Sequence, residues 1–158
     1  MINLHTQVII NAPKERCFDL ARSVNVHTLT ARTISGKAVA GRVFGLSALG
    51  DWTTWSARFF GLRFRLTTEI SEFDTPNSFS DTLRSGLFTH FGHVYTFEDI
   101  GGGQTRFTDT FSFQSPLGLL GALVDRVVLR GRMKAVDEAR AGDIKRLAES
   151  EEWKKYLR

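Results

Sequence analysis

Three titratable side chains, Asp81, His93 and Asp109, stand among aromatic residues in the second half of the chain. Around each of them apolar and polar residues alternate, which is typical of a strand with one buried face. The alternation places all three on the buried face. Since a lone buried charge is costly, we expect them to form a row across adjacent strands, with His93 held by a carboxylate.

Turn signals between these segments predict the register of the row. A hairpin turning at Gly101–Gly102 would pair His93 with Asp109, and one turning at Gly86–Leu87 would place Asp81 opposite His93. A carboxylate beside the imidazole would favour its protonated form and oppose the effect of burial on its pKa. The sequence therefore predicts a polar anchor for a ligand inside an apolar pocket.

The same row has a second interpretation, as a polar ladder that is satisfied internally beneath a helix and never meets a ligand. A third interpretation is catalytic, with His93 as acid or base and Asp81 or Asp109 orienting it. The sequence holds no nucleophile and base pair that would indicate an enzyme independently. The catalytic candidates are therefore His93, Asp109 and Asp81, and all three interpretations stay open.

Metal and nucleotide sites are not indicated by the sequence. His90 has the opposite strand parity to His93, and no Cys or His spacing is typical of zinc. The glycines at 101–103 lack the Lys-Ser/Thr of a phosphate-binding loop and lie between two predicted strands. We therefore predict no metal and no cofactor.

Composition predicts one globular domain in a reducing compartment. The 158 residues are 42% hydrophobic and 24% charged, which is ordinary for a compact fold, and we place the domain at 1–150 with a tail at 151–158. The 13 Phe against 2 Tyr predict an interior rich in phenyl rings. Cys17 is the only cysteine and the N-terminus lacks a secretory leader, so we expect a cytoplasmic protein without disulfides.

The charge distribution bears on possible partners. The net charge is +4, no nucleic-acid recognition motif is present, and the basic cluster at 126–134 has the spacing of a solvated helix face. The longest apolar run, 117–129, contains Asp125 and is too short to span a bilayer. We therefore expect no nucleic-acid partner and no stable membrane insertion.

The order of elements predicts an α+β fold. Residues 2–10 alternate as a strand, a short helix follows Pro13, and 42–113 contain about six strands separated by turn residues. For 23–41 the pattern predicts only a second short helix and a loop. From 117 to about 149 apolar residues recur at helical spacing. Because this long helix must bury its apolar stripe, we predict a helix-grip fold, in which a curved antiparallel sheet of about seven strands wraps around it.

This order of elements, together with several local motifs, resembles the START/Bet v 1-like (SRPBCC) superfamily, in its bacterial ligand-binding branch. The resemblance covers essentially the whole chain, and its segments are Gly50–Gly61, Pro76–Asp81, Gly86–Phe88, His93–Phe97, Thr108–Asp109 and Pro116–Gly118. The superfamily includes lipid carriers, hormone receptors and polyketide aromatase/cyclases. The resemblance therefore implies a ligand cavity between sheet and helix, and leaves the ligand unidentified.

Strand alternation and the helical stripe select the side chains that would line such a cavity. They are Trp55, Phe59, Phe64, Leu66, Phe79, Asp81, Phe91, His93, Tyr95, Phe107, Asp109 and Phe111 on the strands, and Leu120, Val124 and Val127 on the helix. The leading expectation is binding of a small apolar or amphipathic molecule. The alternatives are a metal-free cyclase/dehydratase-like enzyme using His93 with Asp81 or Asp109, and an interaction module in which the outer sheet or the tail at 153–158 docks an unknown protein partner.

Overall fold

The computed structural model describes residues 1–157, and within them one antiparallel sheet of seven strands curves around a long C-terminal helix. The strands are β1 (Ile2–Ile10), β2 (Lys37–Gly41), β3 (Trp52–Phe59), β4 (Leu62–Asp74), β5 (Ser78–Ser85), β6 (His90–Gly101) and β7 (Gln104–Gln114). Their order in the sheet is β1-β7-β6-β5-β4-β3-β2. The predicted helix-grip fold is confirmed.

Two short helices, α1 (Lys14–Ala21) and α2 (Val24–Thr30), follow the first strand as predicted. The segment 23–41, for which the sequence predicted a short helix and a loop, contains α2, a 3₁₀ turn at Ala31–Ile34 and the edge strand β2. Ser23 caps the N-terminus of α2: its hydroxyl accepts a hydrogen bond from the backbone N–H of Val26 at 3.4 Å.

The long helix has two parts. α3 (Gly118–Val124) leads through a π-helical turn at Asp125–Leu129 into α4 (Arg130–Glu149). α4 packs against β1, α1 and α2, and its buried residues include Val136, Ile144 and Leu147. In α3, by contrast, only Gly121 is buried. From the sequence, we expected one apolar stripe to stay buried along the whole helix. The π-helical turn contains one extra residue, so α3 points a different face to the sheet than that stripe predicts.

α3 is held to the end of the sheet by a buried carboxylate. Asp125 accepts hydrogen bonds from the backbone N–H and the hydroxyl of Ser115, at 2.9 and 2.5 Å. Gly121 lies so close to the carbonyl oxygen of Pro116 that an added Cβ would sit 1.9 Å from it. The position of α3 is therefore set by close backbone packing as well as by hydrogen bonds.

The register of the last hairpin corrects the prediction. Tyr95, rather than His93, lies opposite Asp109, because the chain turns at Gly102–Gly103 and the ladder is irregular between Asp99 and Gly101. The pairing is thus displaced by two residues, and an even displacement keeps every side chain on its predicted face. The predicted pairing of Asp81 with His93 is confirmed.

The segment after residue 150 packs onto the domain. A 3₁₀ turn spans Glu151–Lys155, and Trp153, Tyr156 and Leu157 lie partly buried against the main core. The guanidinium of Arg16 lies 4.5 Å from the centre of the Trp153 ring. These apolar side chains therefore have intramolecular contacts, while Arg158, the last residue of the predicted tail, lies outside the described residues.

No helix in residues 1–157 combines the length and the apolar character needed to cross a bilayer. Cys17 is buried in the main core cluster, where it packs as a small apolar side chain, and burial raises the pKa of its thiol to about 11.

The close approach of α3 to the end of β7 can be tested at Gly121. Substitution Gly121→Ala is expected to lower the free energy of unfolding by about 1–3 kcal/mol, since the new methyl group would overlap the Pro116 carbonyl. Denaturant unfolding measures this loss. The matched control is Gly131→Ala in the same long helix, where an added Cβ meets nothing; it should stabilise the protein by about 0.5–1 kcal/mol. Equal effects of the two substitutions would contradict the packing described for α3.

Candidate functional site

A cavity of about 400 Å³ lies between the inner face of the sheet, α2 and the long helix. Its walls are mainly aromatic and aliphatic. The aromatic side chains are His27, Trp55, Phe59, Phe60, Phe64, Phe88, Phe91, His93 and Phe111. A cavity of this size and lining can enclose a small apolar molecule.

His93 lies on the polar floor of the cavity and is supported from behind by Asp109. The Nδ1 atom of His93 lies 2.9 Å from Oδ1 of Asp109, and both residues are almost fully buried. The imidazole is stacked between two rings, with its centre 4.0 Å from that of Phe111 and 5.3 Å from that of Tyr95. The stacking contacts and the hydrogen bond together fix the imidazole in one orientation.

Asp81 completes the predicted row on the neighbouring strand. It lies opposite His93 on β5, and its carboxylate accepts a hydrogen bond from the backbone N–H of His93 at 3.2 Å. Asp81 also lines the cavity. The three residues singled out in the sequence therefore do come together, although Asp109 lies behind His93 rather than facing the cavity.

Two further charged residues reach this cluster from α4. Arg140 donates a hydrogen bond to the Tyr95 hydroxyl at 2.8 Å and lies 3.7 Å from the second oxygen of Asp109. Asp137, one turn earlier, is 3% exposed and lines the cavity with Arg140. The sequence contained a signal for both, because Met133, Asp137 and Arg140 follow the spacing of a buried helical stripe.

The charges in the cluster shift one another's pKa. Burial alone would lower the pKa of His93, but Asp109 and Asp81 outweigh it and raise the pKa, so the predicted direction is confirmed. Burial raises the pKa of Asp137 from 3.8 to about 6, against the opposing effects of His93 and Arg140. Burial also raises the pKa of Asp81. The cluster thus combines an imidazole whose protonated form is favoured with a carboxyl whose neutral form is favoured.

His27 lines the cavity but was not among the predicted lining residues. It lies in the segment 23–41, for which the sequence predicted only a short helix and a loop. It is partly buried on α2, and its ring centre is 5.1 Å from that of Trp55. Burial, followed by the nearby charges of Arg140 and His93, lowers its pKa well below the usual value. It therefore contributes a neutral ring to the cavity wall.

His93, Asp109 and Asp137 have one potential metal ligand each within 4.8 Å of one another. The arrangement is poorly suited to a cation, since Nδ1 of His93 is already engaged by Asp109 and the guanidinium of Arg140 supplies a fixed positive charge beside the same carboxylate. His93 and Asp109 are instead hydrogen-bonded to each other, with Arg140 beside them.

The structure places nine of the fifteen predicted lining residues at the cavity: Trp55, Phe59, Phe64, Leu66, Asp81, Phe91, His93, Phe111 and Val124. Phe79, Tyr95 and Phe107 instead lie in the closed core, where α1 and α4 cover that end of the sheet. Leu120 and Val127 are exposed because α3 turns another face to the sheet, and Asp109 is screened by His93. These six placements correct the predicted lining.

Comparisons with known proteins place this architecture among characterised folds. Residues 1–149 match the family model described as polyketide cyclase/dehydrase and lipid transport. No curated protein matches the chain by sequence. Among solved structures, the protein TTHA0849 from Thermus thermophilus superposes with a TM-score of 0.73 at 20% identity, over 92% of this chain and 95% of that one.

Two further solved structures are similar in fold. A START superfamily protein from Mycobacterium smegmatis superposes with a TM-score of 0.67 at 13% identity, over 92% of this chain and 98% of that one. The Zhui aromatase/cyclase from Streptomyces sp. R1128 superposes with a TM-score of 0.65 at 10% identity, over 92% of this chain and 95% of that one. At these identities the similarity concerns the fold alone.

The raised pKa of Asp137 predicts a pH-dependent cost of burial. Between about pH 4 and pH 6 the folded protein keeps a proton that the unfolded chain has released, so this group makes stability fall as pH rises through that window. Asp137→Asn should remove the cost, and the variant should gain on the order of 2–3 kcal/mol over the wild type above about pH 6, with a smaller gain near pH 4. Urea unfolding across this range measures the difference.

The control for this measurement is Glu138→Gln, one residue along the same helix with an exposed side chain. Its difference from the wild type should stay within a few tenths of a kcal/mol at each pH. A gain for Asp137→Asn that is independent of pH would contradict the assignment.

Proposed function

This chain belongs to the polyketide cyclase/dehydrase and lipid transport family of the START/Bet v 1-like (SRPBCC) superfamily, and on that premise we propose that it binds a small hydrophobic or amphipathic ligand between its sheet and its long helix. The observation that carries the proposal is the cavity of about 400 Å³, which has apolar walls and a charged floor. Removing an apolar molecule from water into such a space is favourable in proportion to the area buried.

The floor of the cavity favours an amphipathic ligand over a purely apolar one. Within residues 1–157, Oδ2 of Asp137 is buried without a hydrogen-bond partner, and Asp137 lines the cavity. A buried acceptor without a partner is costly, so a ligand group that donates a hydrogen bond to it would be stabilised. We infer that the ligand has an aromatic or aliphatic body and a hydroxyl or similar donor at the buried end.

A cytoplasmic location is part of the same proposal. It rests on the single cysteine, Cys17, which is a buried free thiol, and on the match to a family of ligand-binding and cyclase-like proteins.

A second candidate function, cyclase/dehydratase-like catalysis, is favoured by one observation: His93 and Asp137 both reach the cavity with pKa values shifted in ways that suit proton transfer. The imidazole, whose protonated form is favoured by Asp109 and Asp81, can donate to a carbonyl oxygen. The Asp137 carboxylate, mostly ionised above about pH 6, can accept a proton from an acidic C–H bond.

These two groups would together support an aldol-type ring closure. Asp137 takes a proton from a carbon between two carbonyl groups, the resulting enolate carbon attacks a second carbonyl carbon, and His93 protonates the oxygen as the new C–C bond forms. Asp109 holds the imidazole in position throughout, as predicted for one of the two aspartates. Asp109 is thus a positioning residue, and Asp137, which was not among the predicted catalytic candidates, is the carboxylate suited to proton transfer.

Binding of an amphipathic ligand can be tested with the matched pair biphenyl and 4-hydroxybiphenyl, by displacement of the neutral fluorophore N-phenyl-1-naphthylamine. Both compounds should bind, and the phenol should bind about tenfold or more tightly, because its hydroxyl can donate to Asp137. Asp137→Leu should abolish the preference for the phenol while retaining biphenyl. Ala57→Phe, which fills space at the cavity wall, should weaken both compounds.

The control for the cavity-filling variant is Val94→Phe, an exposed position on the outer face of the sheet, which should leave both affinities unchanged. Failure of the wild type to bind fluorophore and biphenyl would contradict a ligand cavity. Equal affinity for the two compounds would contradict the role given to Asp137.

Catalysis can be tested with a linear poly-β-ketone thioester, by following ring formation by mass spectrometry and absorbance. If the protein is an enzyme, His93→Asn should lower the rate by about 100-fold or more while retaining a donor to Asp109 and binding of the fluorophore. His90→Asn, on the opposite face and exposed, is the control and should react at the wild-type rate. A wild-type rate equal to that without protein would leave ligand binding as the function.

A further inference from the structure

The mouth of the cavity is formed by three segments of the chain. Phe60, Leu87 and Val124 line the cavity and are also exposed to solvent, so they mark its opening. They belong to the turn between β3 and β4, to the loop between β5 and β6, and to α3. We call the rim the segments that surround these residues: 57–67, 85–89 and 116–134.

The rim presents large apolar side chains to solvent. Leu119 is 91% exposed, Leu123 is 58% exposed and Phe60 is 62% exposed. Leu117, Leu120 and Val127 extend the same surface along the start of the long helix. Contiguous apolar surface of this kind is uncommon on monomeric proteins and indicates a binding surface.

The rim is held in place rather than loosely attached. The buried carboxylate of Asp125 fixes α3 to Ser115, and the guanidinium of Arg132 lies 4.7 Å from the centre of the Phe60 ring, joining the helix to the β3–β4 turn. Phe60 and Leu117 both have left-handed backbone conformations, with φ of 51° and 74°. Non-glycine residues rarely adopt this conformation, so the fold retains two strained residues that expose apolar side chains.

The rim also contains the excess positive charge of the protein. It holds seven of the 21 Lys and Arg residues and one of the 17 Asp and Glu residues, Asp125, which is buried. The remainder of the chain therefore has 14 basic and 16 acidic residues. Within residues 1–157, Lys134 is the only rim cation for which an ion pair is present, with Glu138 at 3.7 Å.

We propose that the rim docks on an anionic lipid surface, with its leucines entering the bilayer interface and its arginines contacting the headgroup phosphates. Apolar side chains flanked by cations that, apart from Lys134, have no ion pair among residues 1–157 match a surface that is apolar inside and negatively charged outside. A second copy of the chain is a poorer partner, because two rims brought face to face would repel each other. Docking in this orientation places the mouth of the cavity against the lipid, and it is peripheral, consistent with the absence of a membrane-spanning helix in the described residues.

The experiment is co-sedimentation of the ligand-free protein with vesicles of phosphatidylcholine, alone or with part of it replaced by phosphatidylglycerol. The protein should bind the anionic vesicles at least about tenfold more strongly than the neutral ones, and added salt should weaken the binding. Leu119→Ser combined with Leu123→Ser should lower the partition coefficient by about tenfold or more, and Arg126→Glu by several-fold.

Matched controls separate the contribution of the rim from the effects of losing any exposed leucine or of changing the net charge. Leu49→Ser removes a leucine outside the rim that is 63% exposed, close to the 58% of Leu123. Lys155→Glu changes the net charge by the same amount as Arg126→Glu. Both control variants should bind like the wild type. All these positions are exposed, so the variants should keep the wild-type melting temperature. Since no ligand is involved, the result is independent of whether the cavity binds biphenyl.

Three outcomes would overturn the proposal. One is no binding of the wild type to anionic vesicles. Another is an equal loss of binding in the rim variants and their controls. The third is a dimer in sedimentation velocity that dissociates on replacing Leu119 and Leu123, which would assign the rim to a second copy of the chain.

Discussion

The hydrogen-bonded pair of His93 and Asp109 lies beneath the long helix, where burial would penalise a charge on either residue alone. Its cost is offset by a network that spans the sheet and the helix: Asp81 accepts from the His93 backbone, and Arg140 lies beside Asp109 while donating to Tyr95. The contacts of Arg140 require α4 to sit in one register over β6 and β7. The network therefore specifies how the helix lies on the sheet, in addition to anchoring the site.

The cavity follows from the placement of that network between two different packing regions. Towards the C-terminal half of α4, apolar side chains such as Ile144 and Leu147 fill the space against Phe107 and α1. Towards the start of the long helix, α3 departs from the sheet and leaves room above Trp55 and Phe64. The charged cluster lies at the boundary, so an apolar space ends on polar groups, as expected for a site that orients a ligand.

Because α3 departs from the sheet, the two ends of the ligand site differ in chemical character. The leucines of α3 point outward beside the mouth of the cavity, and Arg132 at the start of α4 packs on Phe60 of the β3–β4 turn. A ligand site with a charged floor at one end and an apolar, basic mouth at the other would receive amphipathic molecules with the polar end first.

The sequence by itself determined the architecture. Strand alternation, turn glycines and the helical stripe are local patterns, so they can be recognised without knowing the tertiary contacts. It also determined that Asp81, His93 and Asp109 share a buried face, since parity is unaffected by an even shift in register. Only the tertiary structure decided that Asp137 and Arg140 complete the cluster, that Phe79 and Phe107 lie in closed core, and that Leu120 and Val127 face solvent. Those outcomes depend on where a helix crosses a sheet, which is decided by packing between segments far apart in the chain and by one extra residue in a helical turn.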